Sequence, residues 1–249
     1  MACPVSHSFR PAMGAAPRRT RLVRLTESAT RWMGKVHIPT ASRFGGAGEE
    51  THLRGLLSPG MVLLSRTRFR PGNLLVPGYW KHAAIYSSDS GARGLGCVVE
   101  ATVERGVVET PLADFMRDKQ DVAILQPTIP RTALRNLARE ATKRIGAPYD
   151  FGFVDSDNGR YYCSKLVFDC LRAVMGRVPF PLRCLWGRRV VTANDLYEQR
   201  HCFDIVYEAC GPRSAIGTET VAANRKWPVR HDRGGPREHG LAARQAPAL

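Results

Sequence analysis

Between Ser58 and Leu125 the chain signals one strand after another, and clear helical periodicity follows only from Leu134. Ser58-Pro59-Gly60 marks a turn ahead of the short apolar run Met61–Leu64. Pro77-Gly78 marks a second turn, leading into Trp80–Tyr86. Beyond a polar loop at 87–96 come Cys97–Ala101, then Val107-Val108 behind Gly106, then Val122–Leu125. Leu134, Leu137, Ala138, Ala141 and Ile145 share one helix face, with Gly146 as the stop. Leu166, Val167, Cys170, Leu171 and Val174 repeat that period from Cys163 onward. After Pro179 and Pro181 follow a polar stretch, Thr192–Gln199, and a last strand around Ile205–Tyr207. Strands segregated from helices exclude an alternating βαβ unit and point to an α+β domain. No internal repeat is present.

Cys163 stands where the polar, Gly-containing segment ends and the second apolar helix begins. Unpaired amides and the positive end of the helix dipole favour a thiolate there, and the same amides can receive an oxyanion. A buried structural cysteine is the other reading, since free cysteine is among the most buried residue types. Lys165, two residues on, is expected to face solvent, and Cys170, about two helical turns on, to sit in the core.

A nucleophilic thiol needs a base, and the base needs a group to orient it. Of the seven histidines (7, 37, 52, 82, 201, 231 and 239), only His82 enters a strand, where the pleat sets its direction. The polar loop can fold Cys97–Ala101 back alongside as a hairpin. Glu100 then lies between Val99 and Ala101, costly for a carboxylate unless it is paired or functional. It can fix the imidazole tautomer that takes a proton from a thiol. A satisfied structural histidine and an edge-strand surface carboxylate are the alternatives. Tyr149 and Asp150 are candidate cleft residues, or simply a turn beside a helix. Trp80 is a candidate pocket wall, or core.

Composition narrows the setting. The net charge of +15 is unevenly spread. Residues 1–54 hold nine Lys/Arg against three acids, and residues 211–249 seven against three. The intervening 55–210 carries 21 against 16. We therefore expect a basic, largely disordered arm at 1–54, one folded domain at 55–210 and a disordered basic tail at 211–249. Basic arms can meet nucleic acid or an anionic membrane surface, but no nucleic-acid motif accompanies them, so nucleic acid is not an expected partner. Peripheral membrane contact stays open, with one weak helical stretch at Leu22–Met33. No apolar run is long enough to span a bilayer and no leader pattern is evident, so the expected location is cytoplasmic. The seven cysteines include no C-x-x-C pair, which argues against a zinc ribbon or a disulfide framework.

In segment order the chain resembles the YiiX/YebB-like branch of the NlpC-type cysteine hydrolases. The matching pieces are Ser58–Leu64, Pro77–Tyr86 with His82, Val98–Thr102 with Gly106-Val107, Tyr149–Phe151, and Tyr162–Val167 with Cys163. The resemblance runs from about residue 56 to 208. It implies a circularly permuted papain-like fold, with an antiparallel sheet packed on the helix that carries the cysteine. The histidine and acidic strands precede that helix, the reverse of papain. It further implies Cys163 as nucleophile, His82 as general base and Glu100 as the residue orienting it. The reaction would cleave an amide, peptide or lipid ester bond through an acyl-enzyme, without metal or organic cofactor. Two other readings remain at this point. One is a lipid acyltransferase or phospholipase of the lecithin:retinol acyltransferase type. The other is a non-catalytic binding module that uses its basic arms.

Overall fold

Turn signals bring successive strands side by side, and the apolar alternation decides which side of each strand meets which helix. In the computed structural model, the described residues are 44, 47–67, 77–88, 96–153, 158–185 and 187–211. Helix α1 (Ala47–Leu56) leads into β1 (Val62–Arg66), β2 (His82–Ser88), β3 (Cys97–Thr102) and β4 (Gly106–Pro111). Then come α2 (Leu112–Met116), β5 (Asp121–Pro127), α3 (Arg131–Thr142) and α4 (Cys163–Met175). The hairpin β6 (Arg183–Leu185) and β7 (Arg188–Val190), helix α5 (Ala193–Glu198) and β8 (Phe203–Ala209) complete the order. Six strands form one sheet in the order β4-β3-β2-β1-β5-β8, antiparallel at every pairing. This is the expected α+β arrangement, with the sheet packed on the cysteine helix.

Period two sorts the side chains into two cores. Val62, Leu64, Ala83, Ile85, Val99, Ala123 and Leu125 pack with Leu137 and Ala141 of α3 and Leu166, Val167 and Cys170 of α4. Leu63, Ala84, Tyr86, Val98, Val122 and Ile124 point the other way, against Leu53 of α1 and Leu112, Phe115 and Met116 of α2. Central strands covered on both faces read as unbroken apolar runs, which is why they are conspicuous in the sequence. The Ser58–Gly60 turn closes through Met61 N–H donating to the Ser58 carbonyl at 3.0 Å. Gly60 sits at φ +94°, and a Cβ there would lie 2.1 Å from the Leu134 carbonyl oxygen. Only glycine fits between β1 and α3.

Several expectations change. Helix α1 runs through the expected boundary at residue 54, and Phe44 and Leu53 are buried, so the packed body begins before residue 55. Ile145 does not join the apolar face of α3: the helix stops at Thr142 and tighter turns swing Ile145 out to 42% exposure. Helices α2 and α5 and the β6–β7 hairpin are too short to show a period, although Thr192 and Asp195 form a capping box on α5. Among the described residues no helix is long and apolar enough to cross a membrane. The expectations for residues 1–43, including Leu22–Met33, and for the tail beyond 211 lie outside the described residues.

Candidate active site

Helix α4 starts without a side-chain cap. Its N-cap residue Tyr162 is extended (φ −100°, ψ 167°) and offers no acceptor to the first turn. The N–H of Ser164 is thus left to the Cys163 sulfur, and the N–H of Ala83 on β2 points to the same atom. Both neighbours of Cys163 are tied to one residue, Val191. Ser164 Oγ donates to the Val191 carbonyl at 2.8 Å, and the Tyr162 hydroxyl accepts the Val191 N–H at 3.1 Å. The helix end and the segment leading into α5 are thereby pinned around a largely buried thiol.

His82 opens β2, and the β2–β3 pairing ends next to it at Ala84–Glu100. Ala84 pairs with Glu100, and Glu100 pairs with Val108, so His82, Glu100 and Thr110 fall in a diagonal row on one face of three adjacent strands. The His82 Nε2 lies 2.6 Å from Glu100 Oε2, with the two side chains 24% and 8% exposed. Thr110 Oγ1 donates to the other carboxylate oxygen, Oε1, at 2.7 Å. The His82 ring packs on Phe115 of α2, centroids 6.0 Å apart. With Nε2 engaged by the carboxylate, Nδ1 is the ring nitrogen left to face the Cys163 thiol, and each group shifts the other's proton affinity.

Charge follows from this geometry. Burial by itself pushes the Cys163 thiol up, but the hydrogen bond and charge of His82 and the two backbone N–H groups outweigh it, and the thiol ends below its ordinary range. Burial pushes the imidazolium down, yet Cys163 and Glu100 together raise it to about 9. Glu100 is likewise penalised by burial, but His82, Thr110 and the charge of Lys119 hold it down at about 2. The resting arrangement favoured is thiolate, imidazolium and carboxylate in a row.

The structure brings Cys163, His82 and Glu100 together. Tyr149 stands at the margin: half-buried, its phenol is pushed far up by burial first and then by the charge of Cys163. Its ring meets Phe151 at 5.0 Å, and Phe153, in the left-handed region at φ +48°, meets Tyr162 at 4.9 Å. Asp150 is buried and folds its own turn, accepting the Gly152 N–H at 2.9 Å. Trp80 is a core residue at 1% exposure, flanked by Tyr79 and Tyr197. Lys165 does not face solvent. It is 4% exposed, with Nζ donating to the Arg160 carbonyl at 2.7 Å and lying over the Tyr161 ring. Its aliphatic stem is absorbed by the core, and its charge serves the loop before the helix. Sequence reasoning missed Thr110, Phe115 and Val191. The alternation in β4 could have placed Thr110 on the Glu100 face, whereas Phe115 and Val191 reach the site only through tertiary packing.

Among known proteins, the sequence pattern described as "Permuted papain-like amidase enzyme, YaeF/YiiX, C92 family" matches residues 56–227. The chain is similar in shape to the crystal structure of the metalloprotein YiiX from Escherichia coli O157:H7, with a TM-score of 0.52 and 18% identity. That likeness covers 62% of this chain and 98% of the other, and at such identity it speaks for the fold alone. YiiX is described as a metalloprotein, but among the described residues here no group of three or more His, Cys, Asp or Glu is placed to hold a metal ion. No curated protein matches the chain. A match over well more than half of the chain, on a sheet and cysteine helix in the permuted order, means that this protein belongs to the permuted papain-like amidase family, YaeF/YiiX, C92.

Proposed function

We propose that the chain hydrolyses an amide or peptide bond through a covalent acyl-enzyme on Cys163. The observation that carries this reading is the His82 ring held 2.6 Å from Glu100 on one side, with the Cys163 thiol near enough on the other for ring and thiol to shift each other's proton affinity. The thiolate attacks the carbonyl carbon, and the C=O electron pair moves onto oxygen next to the uncapped start of α4. Collapse breaks the C–N bond, and the His82 imidazolium gives its proton to the departing amine. The neutral ring then takes a proton from water, whose oxygen attacks the thioester. The acid leaves and the thiolate is restored. Glu100 stays ionised throughout, holding the ring and offsetting its positive charge.

Membership in an amidase family favours amides over lipid esters as substrates. Alkylation by iodoacetamide at pH 7, mapped by mass spectrometry, tests the first requirement. Cys163 is expected to label at least about 100-fold faster than Cys170 or Cys97, whose thiols burial pushes upward. Equal labelling would remove the activated thiolate. A single-turnover assay with matched amide and long-chain ester substrates then distinguishes the outcomes. Acylation by the long-chain ester with none by the amide would point to lipid acyl transfer, and no acylation by either would point to a binding role.

A further inference from the structure

The carboxylate of Glu100 has two oxygens, and each has its own partner. Oε2 meets His82 at 2.6 Å and Oε1 receives the Thr110 hydroxyl proton at 2.7 Å. Thr110 is 7% exposed and Glu100 6%, so water does not readily substitute for either contact. The register leaves little freedom: Val99 pairs with Glu109 and Val98 with Thr110, which sets the hydroxyl diagonal to Glu100 on its own face. We propose that Thr110 is a positioning residue, whose hydroxyl locks the Glu100 carboxylate in the rotamer that meets His82. The proposal builds on the reading of His82 as the proton carrier for Cys163.

The physical reason is the two-point hold. A glutamate side chain has three rotatable torsions, and one hydrogen bond to a half-exposed ring leaves the carboxylate free to pivot. A second bond, from a short β-branched side chain near the end of β4, removes that freedom, because threonine is itself stiff at χ1. Among the described residues the surrounding charges are few. Cys163 faces His82 from α4, Lys119 acts on Glu100 from the turn after α2, and Asp118 pairs with Lys119. Phe115 contributes only a ring surface. The valine isostere at 110 keeps the volume and β-branching and removes only the donor. The serine keeps the donor.

The test is a titration of the His82 ring by NMR in the full-length protein labelled with 15N-histidine, the resonance being assigned by its loss in His82→Gln. The ring is expected to titrate near 9 in the native chain. In Thr110→Val the midpoint is expected to fall by about half a pH unit or more, as the carboxylate drifts from the ring. In Thr110→Ser it is expected to stay within about 0.2 unit of the native value. An unchanged or raised midpoint in Thr110→Val overturns the proposal, because the hydroxyl would then only withdraw charge from the carboxylate. So does a fall in Thr110→Ser as large as in Thr110→Val, which would assign the effect to the methyl group. If the valine protein does not fold, Thr110→Ala is read against Thr110→Ser on the same criterion. Because the titration needs no substrate, it reports on Thr110 even if the chain turns out to hydrolyse nothing. Conversely, absent labelling at Cys163 with an intact Thr110 effect would sink only the hydrolase reading.

Discussion

Cys163 and Cys170 stand on one helix, about two turns apart, and their thiols are driven in opposite directions. Cys170, fully buried among Leu166, Val167 and Leu171, is pushed up to about 12, chiefly by burial. Cys163 suffers a burial penalty of the same sign, yet is pulled below its ordinary range by His82 and by two backbone N–H groups, that of Ala83 on β2 and that of Ser164 at the open end of the helix. Burial alone makes a thiol inert. Donors and a cation on the same atom reverse the sign, and only the helix end offers unpaired donors, since the amides around Cys170 are spent within the helix.

The largest expected effect breaks the pair apart. Cys163→Ala should lower hydrolysis of a suitable amide by about 10⁴-fold or more, with an unchanged far-UV circular dichroism spectrum. Cys170→Ala should leave turnover within about twofold and instead cost roughly 1–2 kcal/mol in chemical denaturation, because it opens a small cavity in the core. A Cys170 variant with full stability but no activity would invert the contrast.

A smaller effect sharpens the electrostatic half of the comparison. Glu100→Gln keeps an acceptor for His82 but removes its charge, so hydrolysis should fall by about tenfold. The alkaline limb of the rate profile should move below the native midpoint near 9. Stability should respond as well, with a definite sign. His82 is raised from its ordinary 6.5, so its contribution is complete below 6.5 and disappears as pH rises through about 9. Glu100 is lowered from its ordinary 4.5, so its contribution is present above 4.5 and disappears as pH falls toward about 2. Both act fully only between those ordinary values. The melting temperature of the native chain should therefore fall on leaving that window in either direction, and that of Glu100→Gln should change less. Equal profiles for the two proteins would count against the coupling.

The smallest effect concerns how the helix end is held. Ser164→Ala removes the bond to the Val191 carbonyl and should cost about 1 kcal/mol in denaturation and a few-fold in turnover. The same change should leave the slow labelling of Cys170 untouched.

Much of this was legible in the linear chain. The strands at 62–66, 82–88, 97–102 and 121–127 appear as apolar runs between turn signals because they are buried on both faces. Helix α4 announces itself by its period, while the left-handed Gly176 that ends it is a finding of the structure. Elements shorter than two turns carry no period, so α2 and α5 stayed hidden, and with them Phe115 and the segment that starts at Val191. Ile145 fitted the helical stripe, but the stripe cannot say where hydrogen bonding gives way to a tighter turn. Lys165 was misplaced because a lysine is judged by its charge, whereas here the loop carbonyl of Arg160 provides a buried partner.

By itself the sequence determined the class of fold, the strand that carries the histidine, the strand that carries the glutamate and the helix that begins at the cysteine. These follow from local periodicity and turn chemistry, which depend on neighbours along the chain. Tertiary structure decided that the three side chains meet. It selected which carboxylate oxygen takes the ring and which takes Thr110, and it moved the Cys163 thiol down while Cys170 went up. Those outcomes depend on sheet register and on the desolvation and fields of groups up to 81 residues apart, His82 and Cys163 among them. No local pattern carries that information.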